Sequence, residues 1–267
     1  MTGPVEKLSL QIDGGSLDCV RFGTGERALV MLPGLTLRGV RESAYPLAWM
    51  YRAFAKAYTV YVLDKKDPIP PGYTIRDMAA DAACAMGRLG FPQADMLGIS
   101  QGGMIAQELA IRYPGLVRRM VLGVTASRPN AAMEAAVAGW IEKAEQGRWA
   151  DMASSMLEQT YSPAYVKKYR LLLPLLSRLG KPQKAGRFIA MAKACLTCGS
   201  YPELHKIACP VLVIGAKQDQ VVTGRASEEI AERLPCEIYM YEGLGHAAYD
   251  EAQDFNQRVL RFLQAGG

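Results

Sequence analysis

Ser100 lies in Gly98-Ile-Ser-Gln-Gly102-Gly103, directly between a short apolar run and a segment with helical periodicity. Small residues on both sides permit the sharp strand-to-helix turn that lifts a serine side chain out of a sheet edge. A serine alcohol is a weak nucleophile and needs a base. The chain has two histidines. His205 precedes an apolar strand-like run, whereas His246 stands in Gly243-Leu-Gly-His-Ala, a turn beyond the last such run and free to swing toward Ser100. Asp219 also follows an apolar run, at 211–214, and its carboxylate there can fix the imidazole tautomer and stabilise the imidazolium. Ser100, Asp219 and His246 therefore form a candidate nucleophile, acid and base for acyl transfer.

A tetrahedral intermediate needs donors for its oxyanion. The backbone N–H of Gln101, at the start of a helix, is one candidate. The other belongs to the loop Pro33-Gly34-Leu35-Thr36: Pro33 has no N–H, and Gly34 gives the chain freedom to aim that of Leu35. Asp250 competes with Asp219, but its place near the final helix predicts an N-cap. Asp64 and Asp67 are expected in turn or supporting roles. No metal or cofactor is required. Cys195 and Cys198 have redox-motif spacing without a second ligand pair or a strand-to-helix opening, and are expected to be packed thiols.

The elements that must position these groups follow from rhythm. Strands are expected at 8–12, 17–22, 28–32, 58–63, 96–99, 117–124, 211–214 and 237–241, the first two joined by the turn Asp13-Gly14-Gly15. Helical segments are expected at 44–56, 74–89 with Thr74 as N-cap, 101–113, 224–233 and 251–263. Alternation of strand and helix favours a largely parallel sheet covered on both faces. It stops between 127 and 204, where helical periodicity dominates. The expected organisation is a core of residues 1–126 and 205–267 with a helical insertion at 127–204. Trp140, Trp149, Tyr165, Tyr169 and Phe188 of the insertion are candidates to line a substrate space.

A chain of 267 residues, half of them apolar, can bury one substantial core. The net charge of +5 is spread among acidic residues. The basic groups Lys167, Lys168 and Arg170, and Lys181, Lys184 and Arg187, are expected on solvated helix faces and match no nucleic-acid motif. The first ten residues lack the apolar run of a secretory signal, and no segment has the length of a membrane span, so a cytoplasmic location is expected. The partner expected is a small molecule; subunit number is not legible.

Taken together, the elbow at 98–102, the acid turn at 215–219 and Gly245-His246 resemble the α/β-hydrolase superfamily over nearly the whole chain, especially its small esterase, lactonase and proline-iminopeptidase-like branch with a helical cap. The resemblance implies an α/β-hydrolase fold: an eight-stranded, mostly parallel sheet with Ser100 after the fifth strand, a cap after the sixth, and Leu35 and Gln101 as oxyanion donors. Two positions depart from the family pattern. Pro33-Gly34 replaces the common His-Gly pair, and Asp64-Lys65-Lys66-Asp67 replaces Asp-x-Arg-Gly. Serine at position 100 argues against the related enzymes with an aspartate nucleophile. The leading expectation is a carboxylic-ester or lactone hydrolase. Proline iminopeptidase, thioester or carbon–carbon bond hydrolase, and a noncatalytic ligand sensor on the same fold are the alternatives.

Overall fold

A computed structural model of the chain describes residues 3–169 and 185–265. Eight strands, β1 (Glu6–Ile12), β2 (Gly15–Phe22), β3 (Arg27–Leu32), β4 (Tyr58–Asp67), β5 (Ala94–Ile99), β6 (Val117–Gly123), β7 (Val211–Ala216) and β8 (Glu237–Tyr241), form one sheet in the order β1-β2-β4-β3-β5-β6-β7-β8. β1 and β2 pair as an antiparallel hairpin and β2 pairs antiparallel with β4; every later pairing is parallel. β5 and β7 are buried along their whole length, as expected of parallel strands covered on both faces.

Alternate residues of a strand point to opposite faces, and two hydrophobic clusters result. Met96 and Met120 join the cluster beneath α2 (Ile75–Leu89) and α3 (Gln101–Arg112), while Leu97 and Val121 join the cluster beneath α1 (Ala44–Met50) and the C-terminal helix. Between β6 and β7 lie α4 (Ala131–Glu145), α5 (Trp149–Thr160), α6 (Pro163–Tyr169) and α7 (Ala185–Cys195). α4 packs on α5 and α7, and its Met133 and Trp140 extend the first cluster outward from the sheet. The chain returns through β7, α8 (Gly224–Arg233), β8, α9 (Ala248–Glu251) and α10 (Phe255–Gln264). Among the described residues, no helix is long and apolar enough to cross a membrane.

Local chemistry accounts for these elements and for three differences from the expectations. Thr74 caps α2 as anticipated, its hydroxyl accepting from the Asp77 N–H while the Asp77 carboxylate accepts from the Thr74 N–H. The expected helix at 44–56 breaks at Tyr51, and a 3₁₀ turn at Arg52–Phe54 carries Phe54 into the core. β4 runs past residue 63 to Asp67 because Lys66 and Asp67 find partners in Leu17 and Ser16. Along that extension Asp64 and Lys65 together face the single residue Asp18, a β-bulge, the kind of irregularity that re-aims side chains beside functional sites. The final helix is two helices, α9 and α10, so Asp250 lies inside α9 and is not an N-cap.

Candidate active site

Ser100 connects β5 to α3 with φ 52° and ψ −118°, a left-handed conformation that costs a non-glycine residue on the order of 1–3 kcal/mol. The surroundings hold it there. Its N–H donates to Gly123 O at 2.9 Å, and its carbonyl accepts from Gly103 N at 2.9 Å, Met104 N at 3.2 Å and the Thr125 hydroxyl at 2.7 Å. At Gly102 a Cβ would fall 1.8 Å from Leu32 O, so only glycine lets the start of α3 lie against the end of β3. That approach brings the loop after β3 beside the elbow.

His246 Nε2 lies 2.8 Å from Ser100 Oγ, and His246 Nδ1 lies 2.7 Å from Asp219 Oδ2. The structure thus brings the three sequence-selected residues into one hydrogen-bonded chain. Asp219 Oδ1 accepts from Val221 N at 2.8 Å and Val222 N at 3.0 Å, so its turn orients the carboxylate. Burial by itself pushes the Asp219 carboxyl up, but His246 and these two amides outweigh it and hold the group below the usual carboxylate range. An ionised carboxylate accepts, so Nδ1 carries a proton and Nε2 is left to accept from the serine hydroxyl. His205 is exposed in a 3₁₀ turn before β7.

The turn that carries His246 is seated on the end of α5. Ala247 N–H donates to Thr160 O at 2.7 Å, and a Cβ at Gly245 would meet the same oxygen at 2.9 Å. Nearby, Ser162 N and Oγ donate to the Glu251 carboxylate at 2.8 and 2.5 Å, and Tyr161 OH donates to Asp250 at 2.8 Å. Pairing with Tyr161 is thus the position Asp250 takes in place of the expected cap.

Gly34 and Leu35 line a cavity of about 60 Å³ at Ser100 and His246. Thr36 does not add a hydroxyl donor, since its Oγ1 donates to Arg38 O at 2.8 Å. Gln101 occupies the first position of α3, and its buried side chain reaches α7, where Nε2 donates to Met191 O at 2.7 Å and lies 3.1 Å from Cys195 Sγ. The rest of the cavity wall is apolar: Met104 from α3, Met133, Val137 and Trp140 from α4, Met156 from α5, and Val221 and Val222 beside Asp219. Thr160, Cys195 and Tyr249 complete it.

Of the five aromatic candidates, Trp140 lines the cavity, with its Nε1–H held by Gln159 Oε1 at 2.7 Å. Phe188 is instead 1% exposed within the hydrophobic cluster, Trp149 packs on the outside of that cluster, and Tyr165 stacks on Tyr161 at 4.4 Å. The side chain of Tyr169 lies outside the described residues, as do Arg170, Lys181 and Lys184. Helix periodicity identifies an inward face but not which inward group reaches the cavity; the flexible methionines Met133 and Met156 and the short Thr160 and Cys195 do so instead. Lys167 and Lys168 are exposed on α6 as expected. Arg187 corrects the reading of solvated basic faces: its guanidinium turns inward to Asp64 Oδ1 at 3.0 Å and to the carbonyls of Lys65 at 2.8 Å and Lys66. Cys195 and Cys198 are buried free thiols, pushed up by burial to about 11 and about 12.

The α/β hydrolase fold family matches residues 27–253. The chain belongs to the α/β-hydrolase family. It is similar to 3-oxoadipate enol-lactonase 2 of Acinetobacter baylyi, 26% identical over 197 residues that cover 72% of this chain and 71% of that one. It is also similar to the mouse serine hydrolase BPHL, 28% identical over 276 residues that cover 97% of this chain and 87% of that one. Among solved structures, the enol-lactonase from Burkholderia xenovorans LB400 superposes with a TM-score of 0.82 at 21% identity, over 96% of this chain and 99% of that one, a likeness of fold.

Proposed function

We propose that this hydrolase cleaves a small or moderately hydrophobic carboxylic ester or lactone through an acyl intermediate on Ser100. The observation that carries the reading is the unbroken chain Ser100 Oγ, His246, Asp219, ending at a strained elbow that opens on an apolar cavity. As Ser100 Oγ attacks the carbonyl carbon, His246 Nε2 takes its proton, and Asp219 stabilises the imidazolium. The N–H groups of Leu35 and Gln101 receive the oxyanion, the second at the positive end of α3. His246 then gives the proton to the leaving oxygen, and a water activated by the same imidazole hydrolyses the acyl-serine.

In this reading residues 1–126 and 205–267 are the catalytic core, and residues 127–204 are a cap that walls the acyl pocket. The largely apolar lining favours a small or moderately hydrophobic acyl group. The described cavity lining contains no Asp or Glu to receive the amino terminus of a proline peptide, which weighs against proline iminopeptidase. The lactonase name of one relative supports including cyclic esters.

The test is time-resolved intact-mass detection of acyl-enzyme and product with activated esters, lactones, thioesters and proline amides, comparing the native chain with Ser100→Ala. Ser100-dependent acylation and turnover of esters or lactones is expected. A folded native chain that forms neither acyl-enzyme nor product from any donor would sink the reading and move weight to a ligand sensor.

A further inference from the structure

We infer that Lys65 is a positioning residue for the oxyanion hole: its buried ammonium holds the peptide that carries the Leu35 N–H and places a positive charge behind that donor. The inference rests on the serine-hydrolase reading above. Lys65 is 5% exposed, and its Nζ donates to Pro33 O at 2.7 Å and to Gly34 O at 3.0 Å. The carbonyl of Gly34 and the N–H of Leu35 belong to one planar peptide unit, so fixing the oxygen fixes the direction of the N–H. A cation on the carbonyl also polarises the amide and strengthens it as a donor. The loop it grips is the one beside the nucleophile: a Cβ at Gly34 would stand 3.2 Å from Ser100 Cβ.

An ammonium is costly to bury, and a neutral side chain could fill the same space at lower cost. Lys65 sits in the bulge opposite Asp18, from which its side chain reaches the loop. The charged and titratable groups facing it are Asp64 on its own strand and Arg187 and Cys195 on α7. Burial lowers the ammonium most, Asp64 and Cys195 raise it and Arg187 lowers it again, leaving it at about 8. The charge is therefore present below that pH and lost as pH rises through it. A neutral amine can still donate to both carbonyls, so the loop stays in place while the charge disappears.

The experiment measures acylation of Ser100 by p-nitrophenyl acetate from pH 6 to 10 in the native chain, Lys65→Arg, Lys65→Met and Ser100→Ala, with melting followed by circular dichroism. In the native chain the acylation rate should fall by roughly tenfold through an alkaline limb centred near pH 8. Lys65→Met should lower kcat by about 10- to 100-fold at neutral pH, less than the loss of an oxyanion donor itself, with KM changed less than about threefold and no alkaline limb. Lys65→Arg keeps a cation that does not titrate in this range, and should stay faster than Lys65→Met and be flat above pH 7. A Met variant with the native rate, or an Arg variant that keeps the native alkaline limb, overturns the inference; should Lys65→Met not fold, the native and Arg profiles decide. Absence of Ser100 acylation in the native chain sinks the hydrolase reading and this inference together, whereas acylation with the same limb in every Lys65 variant sinks this inference alone.

Discussion

Asp219 uses its two oxygens differently: Oδ1 accepts from two backbone amides of its own turn, and Oδ2 faces His246. In Asp219→Asn the amide oxygen is the atom that satisfies Val221 and Val222, so the NH₂ is turned toward Nδ1. His246 must then accept through Nδ1 and carry its proton on Nε2, where it can no longer receive one from Ser100. Expected is a loss of about 10⁴-fold in kcat with little change in secondary structure, measured by ester hydrolysis and circular dichroism. Because the folded carboxyl is held below its unfolded value, the stability it contributes is present above the ordinary carboxylate range and lost as pH falls through the folded pKa. Urea melts of native and Asn chains should differ more at pH 7 than at pH 3. Ser100, Asp219 and His246 are legible in the sequence because each sits in a short polar turn after an apolar strand. Thr125 and Lys65 are not: Thr125 reaches Ser100 across 25 residues and Lys65 reaches Gly34 across 31, and no local pattern encodes either contact.

At the scale of elements, the strand-helix rhythm gives eight strands and their order of appearance, but not where β4 stops. Its last residues are polar and read as a loop; they are strand because β2 offers them partners. The same polar end is bolted to α7 by Arg187, whose side chain is 16% exposed and faces an Asp64 side chain 8% exposed. Removing one partner of such a sheltered pair costs on the order of 3–5 kcal/mol. Arg187→Met should lower the melting temperature by about 2–4 °C for each kcal/mol lost. It also removes the positive neighbour that lowers Lys65, so the alkaline limb of acylation should move to higher pH. A pH profile that stays put in a folded Arg187→Met chain would separate α7 from the Gly34–Leu35 loop. The start of α3 is tighter still. Gly102→Ala forces a Cβ against Leu32 O and should cost about 1–3 kcal/mol or more, seen as a lower urea midpoint, and reduce acylation by displacing Gln101.

For the whole molecule, the pocket is assembled from both parts of the chain: Ser100, Leu35 and His246 on the sheet side, and Met133, Trp140 and Met156 on the helical side. On the proposed function, length preference would be set by the wall that the helices supply. Met156→Ala should enlarge the cavity and shift the best substrate in a p-nitrophenyl ester series from short toward longer acyl chains, while kcat for the acetate falls less than about tenfold. An unchanged chain-length profile would place the acyl group elsewhere. The wall's existence is legible as a block of helical periodicity, but its lining is not, because side-chain reach depends on how α4, α5 and α7 cross.

Thr160 O, at the end of α5, is the acceptor for the amide next to His246. On the proposed function, the helical block helps to seat the general base as well as to wall the substrate. A foreign block grafted onto this sheet to change specificity would have to deliver a main-chain oxygen to the same spot, opposite a glycine at 245. Chimeras designed with that junction retained should keep their turnover, and those joined upstream of it should lose kcat before they lose their fold.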